Sequence, residues 1–145
     1  MSNDIVFKDN SSLILSALDD AAYSALEEIG QRAVAYAKAD TPVGTPESTG
    51  VQGYVSSGLR KSITHRISRM EVYIGTNKPY ASYVENGTGI YASDGSGRKN
   101  PWKWIDKNGK EHWTKGMKPH HMLKKAAANH SEEYMKVIVD KMKNA

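Results

Sequence analysis

From about Leu13 to Lys38, apolar residues recur at three- and four-residue steps. Leu18, Ala22, Leu26, Ile29, Ala33 and Tyr36 fall on one face of a helix. Asn10, Ser11 and Ser12 offer N-cap oxygens ahead of the run, and Pro42 stops it. Asp19 and Asp20 lie early and Arg32 and Lys38 late, as the helix dipole favours. About 26 residues of helix span roughly 40 Å. That is long for a small domain, so part of the apolar face calls for a partner. The pattern then lapses. Residues 40–58 hold threonines, glycines, prolines and serines with nothing to pack, and are expected to form a mobile loop.

Period-two patterning follows. Leu59 to Ser68 alternates, with Ile63, His65 and Ile67 on one side, which predicts a half-buried strand. A turn at Ser68-Arg69 leads to a second strand, Glu71 to Gly75, with Val72 and Ile74 inward. Pro79 opens a short helix over Tyr80 to Glu85, on which Tyr80, Tyr83 and Val84 share a face, and Gly87 closes it. Residues 89–100, rich in glycine and serine, are a second expected mobile loop. Trp102 to Asp106 and Glu111 to Thr114 flank Asn108-Gly109, a type I′ hairpin signal. Pro119 leads into a last helix, about His120 to Lys143, striped by Leu123, Ala127, Tyr134, Ile138 and Met142. Ile5-Val6-Phe7 is a lone apolar patch, a short strand or an arm. The order predicts one α+β domain over 1–145. A small antiparallel sheet of two hairpins packs against a long N-terminal and a C-terminal helix, with a short helix between the hairpins.

Composition narrows the partners. Hydrophobic residues make up 39% of 145, so the core is modest and finishing burial in an assembly is plausible chemistry. The net charge of +4 permits nucleic-acid contact without requiring it. With no cysteine, disulfides, thiolate zinc sites and cysteine nucleophiles are excluded. No apolar run approaches the roughly 20 residues of a membrane span. No secretion signal is visible, and synthesis in a reducing cytoplasm is expected.

The search for chemistry finds little. His120-His121, with Asn129 and His130 beyond, invite a metal-dependent nuclease reading. Adjacent helical residues point about 100° apart, however, and no acidic ligand accompanies them. No nucleophile elbow and no phosphate loop are present. Trp102, Trp104 and Trp113 fit three uses. They fill the core against a helix, anchor a protein partner, or stack on nucleic acid with Lys103, Lys107, Lys110 and Lys115 interleaved.

Five segments form an ordered set: Ala39-Asp-Thr-Pro-Val43, Ser57-Gly-Leu-Arg-Lys-Ser-Ile63, Ile74-Gly-Thr-Asn77, Tyr80-Ala-Ser-Tyr-Val-Glu-Asn-Gly-Thr88 and Gly116-Met-Lys-Pro-His-His-Met-Leu-Lys-Lys-Ala126. In that order they resemble the tail-completion (head–tail joining, neck) proteins of long-tailed bacteriophages and prophages. The chain departs from the pattern in the insertion Gly44 to Ser56 and in Asn86, where a bulky apolar residue is usual. The resemblance implies a small α+β subunit of a ring of six at the top of the tail tube. It implies a virion protein made in the host cytoplasm and no catalysis, cofactor, metal or membrane. Its partners would be copies of itself and other neck and tail proteins, with DNA passing through the lumen, where Arg60, Lys61 and Arg66 are candidate wall residues. Candidate partner-binding residues are Leu59, Arg60, Tyr80, Tyr83, Glu85, Gly87 and Thr88, with Trp102, Trp104 and Trp113. The competing readings are a basic nucleic-acid-binding module and a metal-dependent nuclease built on the histidines.

Overall fold

A computed structural model describes residues 8–43, 57–106 and 108–145. The Ile5–Phe7 patch and most of the expected 40–58 loop lie outside these residues. The order is α1 (Ser11–Asp40), α2 (Gly58–Ser62), β1 (Thr64–Ser68), β2 (Glu71–Gly75), α3 (Ala81–Asn86), a 3-10 turn (Gly89–Tyr91), β3 (Trp102–Ile105), β4 (Glu111–Thr114), α4 (Met122–Ala128) and α5 (Ser131–Lys143). The fold is α+β, as the element order predicts. No helix among the described residues is long and apolar enough to cross a membrane.

α1 is the spine. Its buried side is Ala25, Ile29, Gly30, Ala33 and Ala37. Three small cores sit along it or beyond its end. Ala25 and Ile29 meet Val137, with Tyr134 and Ile138, on α5. Ala37 meets Ile63 and Ala126. Leu59, Ala81, Val84 and Met122 form the third, past the end of α1. Alanine is frequent in this stripe because it lets neighbours approach the helix closely. Gly30 goes one step further: a Cβ there would lie 2.5 Å from the His65 ring. Glycine in mid-helix costs about 1 kcal/mol against alanine, and here it lets the imidazole lie on α1 and reach Glu27 at 3.0 Å. Across the α1–α5 seam, Glu133 accepts from Arg32 Nη1 at 2.6 Å and from the Tyr36 hydroxyl at 2.5 Å. The His130 ring stacks on Tyr36, centroids 3.5 Å apart.

The α1 start is capped differently from the expectation. Asn10 makes no side-chain cap bond; Asp9 Oδ1 accepts the Ser11 N–H at 2.9 Å instead. The strand expected from Leu59 begins only at Thr64, because Gly58–Ser62 is a helical turn. Five residues of alternation do not separate strand from helix, and Leu59 earns its burial by facing Met122. From Thr64 onward the alternation holds, with Val72 and Ile74 inward. β1 and β2 pair antiparallel from Thr64↔Gly75 to Ser68↔Glu71, so the turn is Arg69-Met70, one residue later than expected. Both turn residues have positive φ, 52° and 59°, the geometry of a type I′ hairpin without its usual residues.

The short helix keeps its place but not its face. Ala81 and Val84 are buried, whereas Tyr80, at the N-cap, and Tyr83 are exposed. The expected last helix is two helices, separated at Asn129-His130. The Tyr134 hydroxyl donates to the Ala126 carbonyl at 2.5 Å, satisfying an acceptor that the break frees. The break changes the phase: Met122 and Ala126 are buried and Ala127 is exposed. β3 and β4 form a separate two-stranded sheet, Trp102↔Thr114 to Ile105↔Glu111. Asp106 and Lys110 extend it, since the Asp106 N–H donates to the Lys110 carbonyl at 3.0 Å. The Gly109 N–H returns to the Asp106 carbonyl at 3.0 Å, and Gly109 has φ +80°. That is the pattern of a three-residue loop with a glycine bulge, not the two-residue type I′ turn.

Candidate partner-binding site

The segment following α3 and the segment preceding α4 are stitched together. Thr88 N–H donates to the Met117 carbonyl at 2.9 Å, and Met117 N–H donates to Thr88 Oγ1 at 2.8 Å. Ile90 N–H donates to the Lys115 carbonyl at 3.1 Å, His120 N–H to Val84 at 2.9 Å and His121 N–H to Glu85 at 3.1 Å. The backbones cross so closely that only glycine fits. A Cβ on Gly89 would lie 1.9 Å from the Lys115 oxygen, and one on Gly116 would lie 2.1 Å from the Thr88 oxygen.

Glu85 closes the junction. One carboxylate oxygen accepts the Leu123 N–H and the other the Lys124 N–H, both at 2.9 Å. These are first-turn N–H groups of α4, which have no partner inside the helix. An anion there also meets the positive end of the peptide dipoles. The cap is needed because His121, the preceding residue, sits in left-handed conformation at φ 48°, ψ 39° and makes no side-chain cap bond. Carboxylate and helix are 38 positions apart, so no local motif announces the pairing.

The ten candidate residues divide between scaffold and surface. Leu59 is in the core. Arg60 Nη2 donates to the Thr41 carbonyl at 2.8 Å, a cation at the C-terminal end of α1. Glu85, Gly87 and Thr88 build the junction. Tyr80, Tyr83, Trp104 and Trp113 are on the surface, Trp113 at 71% exposure. Trp102 is half-buried, with the Arg98 guanidinium 5.6 Å from its ring centroid. Trp104 and Trp113 are therefore not core filling against a helix. Trp104 stacks on His112 at 4.4 Å, its cross-strand neighbour, and not on a helix.

An open groove of about 580 Å³ runs beside the junction, with Tyr83, Asn86, Thr88, Asp94, Arg98 and Trp102 among its walls. Its one carboxylate, Asp94, is engaged by the N–H and hydroxyl of Ser96 at 3.0 and 2.6 Å. Those bonds hold the Asp94 carboxyl below the usual range. Among the described residues, no group of three or more histidine, aspartate or glutamate side chains is placed to hold a metal ion. At the hairpin, Asp106 is buried and accepts from the His112 ring at 2.8 Å and from the N–H groups of Asn108 and Lys110, each at 2.9 Å. The His112 bond, ahead of the backbone bonds, lowers the Asp106 carboxyl below its ordinary 3.8. An acid at the first position of an Asp-x-Asn-Gly turn is the sequence signal for this cap.

No curated protein and no solved structure matches the chain. A family model does match, over residues 8–87, from the residues before α1 to the glycine that ends α3. It is the model of the HK97-gp10-like family, described as a tail component of bacteriophage HK97-gp10 type. Since the match takes in more than half of the 145 residues, this chain belongs to the HK97-gp10-like family of bacteriophage tail components.

Proposed function

We propose that this protein is a non-enzymatic structural subunit of the phage neck, completing the tail and joining it to the head as one member of an oligomeric ring. The observation that carries the reading is the balance of apolar surface. Among the described residues, only six buried core side chains are larger than alanine: Ile29, Leu59, Ile63, Val84, Met122 and Val137. Among the same described residues, fourteen large hydrophobic side chains are exposed. A finished monomer has little reason to leave fourteen large apolar side chains exposed around so small a core, whereas a subunit covers them against its neighbours. Ring neighbours meet through two different surfaces, a heterologous contact. Tyr80, Tyr83 and the hairpin tryptophans are the aromatic anchors for those contacts. The lumen passes DNA without holding it, so affinity for DNA is weak and Arg60 serves the fold first.

The test is the mass of the purified protein by light scattering across concentration, with negative-stain imaging alone and after mixing with tails that lack the subunit. A ring of six 16.0 kDa chains, free or on the tail end, is the expected result. A monomer at every concentration that also fails to bind such tails would overturn the reading. Tight DNA binding that falls steeply with salt would assign the chain to nucleic acid instead.

A further inference from the structure

Two surfaces at opposite poles of the molecule are left uncovered, and their chemistry is complementary. The first is the start of α1. The stripe that packs on α5 through Ala25 and Ile29 continues toward the N-terminus through Leu18, Leu15 and Ile14. α5 does not extend along them, since the contact of Glu28 with Lys141 is already in its last turn. Ile14 and Leu15 are 57% and 61% exposed. Leu18 is half-buried, so the apolar face is bare over about one turn, at Ile14 and Leu15. This end is acidic: from Asp9 to Gln31 there are five carboxylates and no lysine or arginine. Asp19 stands one turn on from Leu15, at the border of the stripe.

The second surface is the β3–β4 hairpin, rooted at the other end of α1. Gly116 and Met117 lead from it to Met122, whose sulfur takes the hydroxyl of Thr41, the C-cap of α1, at 3.2 Å. By its register, Lys103, Ile105, Glu111 and Trp113 share one face, on which Ile105 and Trp113 are 61% and 71% exposed. A lone two-stranded hairpin is marginal in water and gains from being covered. It is also basic. The segment 102–115 has Lys103, Lys107, Lys110 and Lys115 against Asp106 and Glu111; Asp106 is buried, and Lys103 pairs with Glu111 at 2.9 Å, which leaves three lysines in excess.

α1, thirty residues and about 45 Å long, starts at one of these surfaces, and the other is rooted beyond its far end. Opposite charge around matching apolar patches, rooted at opposite ends of one helix, pairs between chains. We propose that the N-terminal end of α1 in one copy docks its Ile14–Leu15–Leu18 stripe on the Ile105–Trp113 face of the next copy's hairpin, with Asp19 toward the hairpin lysines. The contact is head-to-tail, so it repeats around a closing ring. It rests on the ring reading and supplies its interface. Nucleic acid would use the same lysines and tryptophans but has no place for the acidic helix end.

The chain has no cysteine, which makes a pairing test clean. Ile14→Cys and Ile105→Cys proteins are mixed, oxidised mildly at high concentration and scored for disulfide dimers. Ala127→Cys, exposed on α4, serves as the control partner. Cross-dimers several-fold above like dimers and above the control are expected. Asp19→Lys should reduce them, and Lys110→Glu in the partner should restore them. Cross-dimers at the control level overturn the proposal, as does a predominance of Ile14→Cys like dimers, which would mean a two-fold contact. Single-stranded or duplex DNA that abolishes the cross-dimers at low salt but not at high salt also overturns it. Imaging separates the two readings: rings without cross-dimers refute this contact alone, whereas cross-dimers in open chains refute the ring alone.

Discussion

Replacing Glu85 by alanine removes the acceptor of two backbone N–H groups at once. Leu123 N–H lies in a half-buried setting, where a donor without a partner costs about 1–3 kcal/mol. Lys124 N–H is exposed, so water takes over most of its bond. Losing a helix N-cap acceptor costs about 0.5–2 kcal/mol in other proteins. Together these put Glu85→Ala at about 2 kcal/mol of destabilisation. Glu85→Gln keeps the shape and one carbonyl acceptor, and should lose about half as much. In urea, with a slope of about 2 kcal/mol per molar, the midpoints fall by about 1 M and about 0.5 M. The assay is equilibrium urea unfolding followed by far-ultraviolet circular dichroism. A Glu85→Ala midpoint within about 0.2 M of the parent would refute the capping account. If that variant also lost assembly, Glu85 would be a contact residue and not a cap.

Gly116→Ala forces a Cβ toward the Thr88 oxygen and should cost more than about 3 kcal/mol, read as a large fall in Tm; an unchanged Tm would show that the crossing is loose. Met122→Ala empties a site with 0% exposure where the third core meets α1, for about 2–5 kcal/mol by urea unfolding. The three tryptophans all lie in the β3–β4 hairpin, so intrinsic fluorescence reports on it alone. Because folding lowers the Asp106 carboxyl, its contribution is complete above the ordinary value of 3.8 and is lost as pH falls through the lower folded value. Tryptophan emission should change below about pH 4, with that change absent in Asp106→Asn; the same acid transition persisting in Asp106→Asn would contradict this.

What was legible in the sequence follows from the range of the forces involved. Of the α1 stripe, Ile29 and Ala33 read directly because one face of a helix is a local, periodic property, whereas Ala25, Gly30 and Ala37, which complete the buried side, carry too little apolar signal to be marked. The alternation from Thr64 to Gly75 reads for the same reason. The Arg69-Met70 turn does not, since neither residue favours positive φ and the two strands impose it. The division of the last helix at Asn129-His130 is hidden by good helix formers on both sides. Its stabilising bond, Tyr134 to Ala126, spans the break between residues eight positions apart, outside the helical repeat. Of the ten candidate residues, the division between scaffold and surface was not legible. Leu59, Glu85 and Thr88 act through partners far along the chain. For Trp104 and Trp113, alternation says which side chains share a face, not whether anything stands opposite.

The α1–α5 seam also has a consequence in time. Arg32 and Glu133 are 101 residues apart in the chain. At synthesis rates of about 5–20 residues per second, that interval is about 5–20 s. Through all of it the nascent α1 has its stripe without the helix that covers it. Concentrated on one polysome, such stripes meet each other before they meet α5. Alanine at Ala25, Ala33 and Ala37 keeps the bare stripe weakly adhesive during that wait, while the carboxylates of its N-terminal half keep neighbouring nascent chains apart.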